Sequence, residues 1–304
     1  MKLSYKLLLP LFAVSAVLIL GSILFWPKPE PLPLPVAVDV PSTEIINAAT
    51  SSKRVIGKSV EGRAIEYLSF GTGSTSIIFV GGIHGGYEWN SVLLAYDLIA
   101  ALQTETFLIP KNITIGVIPV LNPDGLFSVI QKTGVFTREE IPENDAHTTG
   151  RGRFNARNVD LNRNFDCKWQ PTSTWRGRVV SAGTAPFSEP EALALRDLVL
   201  EIKPTAVIFW HSQANTVYAS ECEAGVLPLT RTLMNLYANA ASYQAVEAFD
   251  AYPVSGDAEG WLASLGIAAL TVELETRTQS EWNRNQLGVE AIVSHLSASA
   301  NTNN

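Results

Sequence analysis

Four short runs of this chain are rich in β-branched and aromatic residues and almost free of charge. They are residues 76–81 (SIIFVG), 113–120 (ITIGVIPV), 206–210 (AVIFW) and 268–274 (AALTVEL). A strand with one wet face alternates polar and apolar side chains; runs without that alternation read as strands buried on both faces. The segments between them carry helical patterns, over about 91–104 and near 227–243, 258–265 and 281–297. A further helix is expected from Ser188-Glu189-Pro190-Glu191, with Ser188 as cap and Glu191 closing a capping box. Strand and helix in alternation predict an α/β fold: a single domain whose central, mixed but mostly parallel β-sheet is flanked by helices on both faces. In such sheets, sites form at the carboxyl ends of the strands.

Size agrees with one large core, since 46% of the 304 residues are hydrophobic and only 17% charged. A formal net charge of −7 argues against a nucleic-acid surface. The N-terminus departs from the globular pattern. Lys2 and Lys6 precede an uncharged apolar run from Leu7 to Trp26, long enough as a helix to cross a bilayer. A cleaved signal peptide is the competing reading, but the run ends in Phe25-Trp26, which suits an interfacial anchor better than a cleavage site. Proline then recurs at every second position from 27 to 35, as in an extended, semi-rigid segment. The expected organisation is thus a transmembrane anchor at 1–26, a stalk at 27–50, a globular domain at 51–298 and a polar tail at 299–304, with the domain outside the cytoplasm. Cys167 and Cys222 suit an oxidising compartment, paired or as two buried thiols.

Only four histidines occur. His84 follows the first buried run directly, in Gly81-Gly82-Ile83-His84-Gly85-Gly86-Tyr87-Glu88, where the glycines permit a tight turn and Glu88 opens the next helix. His211 follows the run AVIFW in the same way. Two imidazoles and one carboxylate at strand ends make the set of a catalytic zinc site with an open position for water. His147, in a polar loop, and His295, on the last helix, fit ordinary solvated roles. Asn122-Pro123-Asp124-Gly125 reads as a turn. Downstream, Arg151, Arg153, Arg157 and Arg163 crowd into a short span of an acidic chain, which suits recognition of a carboxylate. Glu273 lies inside an apolar strand, where an unpaired carboxylate is costly.

In order along the chain, these elements resemble the M14 family of zinc carboxypeptidases, over about residues 50 to 298. The shared series is the His…Glu pair after a strand, Asn-Pro-Asp-Gly, Val159-Asp160-Leu161-Asn162-Arg163-Asn164-Phe165, His211-Ser212, Tyr252-x-x-Ser255-Gly256 and Thr271-Val272-Glu273. The resemblance implies that His84, Glu88 and His211 bind one zinc ion, that Asn162 and Arg163 hold the terminal carboxylate of a peptide, and that Tyr252 closes over the bound residue. It implies Glu273 as general base, and Arg153 as the oxyanion-stabilising arginine with Arg157 in reserve. One spacing departs from the family, which has His-x-x-Glu where this chain has an extra residue between His84 and Glu88. By the same alignment Glu259 takes the position that sets side-chain preference, and an acid there would favour a basic C-terminal residue. The alternatives are a zinc amidase or deacylase acting on N-acyl amino acids or cell-wall peptides, and a membrane-tethered relative without activity.

Overall fold

The structure is a computed structural model that describes residues 45–46, 51–142, 150–249 and 253–301. The membrane anchor expected at 1–26, nearly all of the stalk, His147 and Tyr252 lie outside the described residues. Among the described residues, no helix is long and apolar enough to cross a membrane.

The strands are β1 (Ile45–Ile46), β2 (Ser51–Lys58), β3 (Ala64–Phe70), β4 (Thr75–Val80), β5 (Ile109–Pro110), β6 (Ile113–Ile118), β7 (Thr172–Trp175), β8 (Arg178–Ser181), β9 (Ala206–Ser212), β10 (Thr216–Ala219), β11 (Gln244–Val246) and β12 (Ala268–Leu274). The helices are α1 (Trp89–Gln103), α2 (Pro123–Ile130), α3 (Pro190–Ile202), α4 (Pro228–Ala241), α5 (Ala258–Ser264) and α6 (Trp282–Asn301). Eight strands form the main sheet in the order β11-β10-β12-β9-β4-β6-β3-β2. The four inner strands β12, β9, β4 and β6 run parallel, and they are the four nearly uncharged runs. Antiparallel pairings of β10 with β12, β3 with β6 and β2 with β3 extend the sheet on either side.

Both faces of the inner strands are buried, as their composition predicts. Along β4, Ile77 and Phe79 enter the apolar layer that also holds Leu94, Leu98 and Leu102 of α1, Leu233 and Tyr237 of α4, and Ile292 and Leu296 of α6. Their neighbours Ile78 and Val80 enter the opposite layer, with Leu195, Leu198 and Val199 of α3 and Trp261 and Leu262 of α5. A two-residue period therefore feeds two cores from one strand. Cys167 and Cys222 form a disulfide.

Four local expectations need correction. Asn122-Pro123-Asp124-Gly125 is not a free-standing turn: it opens α2, with Asn122 Oδ1 accepting from the Gly125 amide and Pro123 in the first helical turn. Ser188 does not cap α3. Its hydroxyl donates to Glu189, while Glu191 accepts from the Val60 amide and from Asn155 instead of closing a capping box. The stretch read as stalk reaches into the fold, because Ile45–Ile46 pair antiparallel with Ile109–Pro110. The last helix runs to Asn301, into the segment read as a polar tail.

Candidate active site

The parallel inner strands end together, and the chemically active residues stand at those ends. After β4 the chain passes through Gly81, Gly82 and Ile83 to His84, makes one 3-10 turn over Gly85–Glu88, and enters α1. The residue extra to the family spacing is absorbed in this turn. Gly85 has φ +44°, and a Cβ on it would lie 2.7 Å from the Leu126 nitrogen, so only glycine fits that position. The turn brings Glu88 back to the sheet, where its Oε2 lies 3.1 Å from His211 Nδ1. His211, one residue from the end of β9, pairs in register with Glu273 on β12. Adjacent parallel strands in register point paired side chains to one side, so imidazole and carboxylate stand next to each other.

His84, Glu88 and His211 are all buried and can each turn a ligand atom to within 4.8 Å of the others. Their chemistry, two imidazoles and one carboxylate, suits zinc. A further observation fits a cation: His84 Nδ1 is buried without a hydrogen-bond partner, a costly state for a polar atom unless something else engages it. Burial, and then the charge of Arg153, hold the His84 pKa well below its ordinary value, so the ring is neutral as a ligand must be. Burial would lower His211 too, but Glu88 and Glu259 outweigh it and its pKa stands well above normal.

A cavity of about 480 Å³ opens over this cluster. Arg153, Asn162, Arg163, Glu259 and Glu273 all line it, so the structure brings together every described residue that the sequence singles out for the site. Tyr252 is not among the described residues. Burial and then the charge of Glu88 push the Glu273 carboxyl up to about 7. Glu275, by contrast, lies past the end of β12, exposed and paired with Arg284 at 3.0 Å. The two arginines left open by the motif also separate. Arg153 is buried, with Asp160 accepting from its Nε at 2.9 Å and its Nη1 3.9 Å from Glu88. Arg157 is at the surface beside Glu189.

The contacts that fix these residues to one another could not be read from the sequence. Asp160 both clamps Arg153 and lies 3.7 Å from His84 Nδ1. Asn122, besides capping α2, donates to the Arg153 carbonyl at 3.2 Å. Asn162 Oδ1 accepts from the Ala258 amide at 2.8 Å, which ties the Asn162-Arg163 pair to the start of α5. Glu259, in the first turn of α5, turns inward: its Oε1 accepts from Thr271 at 2.9 Å and lies 3.3 Å from His211 Nε2. Trp175 and Arg277 reach the cavity from segments with no motif at all, and only the tertiary fold could have found them.

Comparison with known proteins agrees with this geometry. The family model described as zinc carboxypeptidase matches residues 47–287. Among curated proteins, a γ-D-glutamyl-L-diamino acid endopeptidase of Lysinibacillus sphaericus is 24% identical over 73% of this chain and 60% of its own length. Carboxypeptidase B of Helicoverpa zea is 32% identical over 52% of this chain and 36% of its own. The chain thus spans less than two thirds of the length of either relative. Among solved structures, carboxypeptidase A of Helicoverpa armigera covers 82% of this chain with a TM-score of 0.64 at 20% identity, the alignment spanning 69% of that protein. A murein-tripeptide amidase of Escherichia coli O157 covers 81% with a TM-score of 0.56 at 23% identity, over 92% of its length. At such identities these two structures speak for the fold alone.

Proposed function

Since this chain belongs to the M14 family of zinc carboxypeptidases, we propose that it hydrolyses the amide bond next to a C-terminal residue whose carboxylate is free. The observation that carries the proposal is the convergence in one cavity of three ligand groups, a carboxyl with a raised pKa and two buried arginines. His84, Glu88 and His211 would hold the zinc ion, which when bound supplies Lewis acidity and lowers the pKa of water to about 7. Glu273, with its pKa raised to about 7, takes a proton from the attacking water and passes it to the leaving amine. Arg153, held rigid by Asp160, faces the charge that develops on the carbonyl oxygen. Asn162 and Arg163 grip the terminal carboxylate, and Arg163 Nε is buried without a partner among the described residues.

Glu259 gives this reading its substrate preference. A buried carboxylate lining the same cavity as Arg163 favours a leaving residue with a cationic side chain. That favours a second reading as well: an amidase or endopeptidase acting on cell-wall peptides at a diamino acid, the Lysinibacillus relative being named a γ-D-glutamyl-L-diamino acid endopeptidase. The uncharged run behind Lys2 and Lys6, together with the disulfide, supports a domain held outside the cytoplasm by an N-terminal anchor.

The deciding experiment compares zinc-loaded protein on peptides ending in Lys, Phe or Glu, each with a free or an amidated C-terminus. Hydrolysis of the free Lys peptide is expected to exceed that of its amide by about a hundredfold or more. Equal cleavage of the amidated peptide would refute the role of Asn162 and Arg163, and no advantage for Lys over Phe would remove Glu259 from specificity.

A further inference from the structure

Two cavity-lining arginines, the exposed Arg176 and the half-buried Arg277, are used by neither the motif series nor the proposed chemistry, and Arg277 is the one with a buried, unpartnered nitrogen. It sits in the segment after β12, among residues that lie at the surface, yet its Nη1 is buried and has no hydrogen-bond partner. Among the described residues it forms no ion pair. Its guanidinium lies over the ring of Tyr87, 4.7 Å from the centroid. A stacking contact of that kind engages the face of the guanidinium and leaves its in-plane N–H donors unmatched.

The segment that carries Arg277 is fastened, not loose. Asn90, buried near the start of α1, donates to the carbonyls of Thr276 at 2.8 Å and Gln279 at 3.2 Å. Ser212, next to His211, donates in turn to Asn90 Oδ1 at 3.0 Å. The Thr276 amide donates to Glu281 at 2.8 Å. Arg277 is therefore presented to the cavity on a backbone tied, through Asn90, to the helix that Glu88 leads into and to the strand that carries His211. Preorganisation of this kind spares a ligand the cost of ordering the group that binds it.

Its position assigns a side of the scissile bond. Asn162, Arg163 and Glu259 belong to the wall built on α5 and the segment before it, where the leaving residue binds. Arg277 belongs to another wall. Tyr87, under Arg277, meets Trp175 edge-on at 5.3 Å, and Arg153 lies over Trp175 at 4.8 Å. Arg153, which faces the carbonyl oxygen in the proposed chemistry, lies over the same Tyr87 ring at 5.8 Å, so Arg277 is grouped with Arg153 and not with Asn162 and Arg163. That places it beyond the carbonyl, on the acyl side.

We propose that Arg277 forms a second anion subsite, which takes a carboxylate carried by the residue that supplies the scissile carbonyl. This deepens the reading of the site as a hydrolase for peptides with a free terminal carboxylate, and rests on it for the direction of the chain. The carboxylate has two chemical sources: the side chain of an α-linked Asp or Glu, or the free α-carboxyl of a glutamyl residue linked through its side chain.

The test uses four dipeptides with a free C-terminal lysine: N-acetyl-Glu-Lys, N-acetyl-Gln-Lys, N-acetyl-γ-glutamyl-Lys and its α-amide. Binding is measured by calorimetry on zinc-loaded protein carrying Glu273→Gln, with and without Arg277→Gln or Arg277→Lys, and turnover on the parent protein. One acid should bind about tenfold or more tightly than its own amide, and the pair that discriminates identifies the source. Arg277→Gln should abolish the discrimination, and Arg277→Lys should keep part of it. Equal binding of acids and amides, or discrimination that survives Arg277→Gln, overturns the subsite. Discrimination in binding without turnover of any dipeptide would leave the subsite standing and refute the hydrolytic reading.

Discussion

At the scale of single residues, the site depends on carboxylates with different surroundings. Glu88 faces His211, Glu259 faces the other side of the same ring, and Glu273 stands beside it on the neighbouring strand with its pKa raised to about 7. A group poised near neutrality can exchange protons in both directions. The expected consequence is specific. Glu273→Gln should lower kcat by about a hundred- to ten-thousand-fold while zinc content by metal analysis stays at the parent level. Loss of zinc along with activity would mean that Glu273 is a ligand, and retained activity would mean that another group is the base. Sequence alone made His84, His211 and Glu273 legible, because polar groups at or near the ends of apolar strands are hard to explain otherwise. It left Glu88 in doubt, since the extra residue in its spacing is resolved only by the positive φ of Gly85.

At the scale of elements, what was legible followed burial. The inner strands stood out because both faces are dry and the sequence lacks any competing period. The flanking strands β2, β3, β10 and β11 were missed because polar residues interrupt them, as in the exposed Ser52-Lys53-Arg54 of β2 and the short QAV of β11. α2 was hidden by its own capping motif, which contains a proline and a glycine and so reads as a turn. One loop shows how closely elements are fitted to the site. Gly256, with φ +71°, accepts from the Phe165 amide at 2.9 Å and donates to the Cys167 carbonyl at 2.7 Å. A Cβ there would lie 2.2 Å from the Arg163 carbonyl oxygen. Gly256→Ala is therefore expected to cost about 1–3 kcal/mol of stability and to raise KM for peptides with a free carboxylate, by displacing Arg163. Thermal melts and steady-state kinetics check the two arms, and an unchanged melting temperature with unchanged KM would show that the loop yields freely.

At the scale of the whole molecule, the fold and the metal site draw on different sources of stability. The two apolar layers enclose the inner strands from both faces without help from the ligand cluster. The carboxyl ends of the strands are the opposite case: charged and imidazole groups are packed there away from water, and a cation relieves their mutual cost. A chelator should therefore leave the chain folded but lower its melting temperature. With free zinc a thousand times above its Kd, the stabilisation lost is about 4 kcal/mol. In a domain of this size that amounts to roughly 8–16 °C, if each kcal/mol shifts the midpoint by about 2–4 °C. Far-UV circular dichroism should keep its native shape below the transition, and adding zinc back should restore both the midpoint and hydrolysis. In His211→Ala the midpoint should barely respond to chelator or zinc, because one of the three ligands is gone. A parent protein whose midpoint ignores the chelator while metal analysis shows the zinc removed would mean that the strand ends tolerate their buried charges unaided. Unfolding on chelation would mean that the apolar layers do not hold the sheet alone.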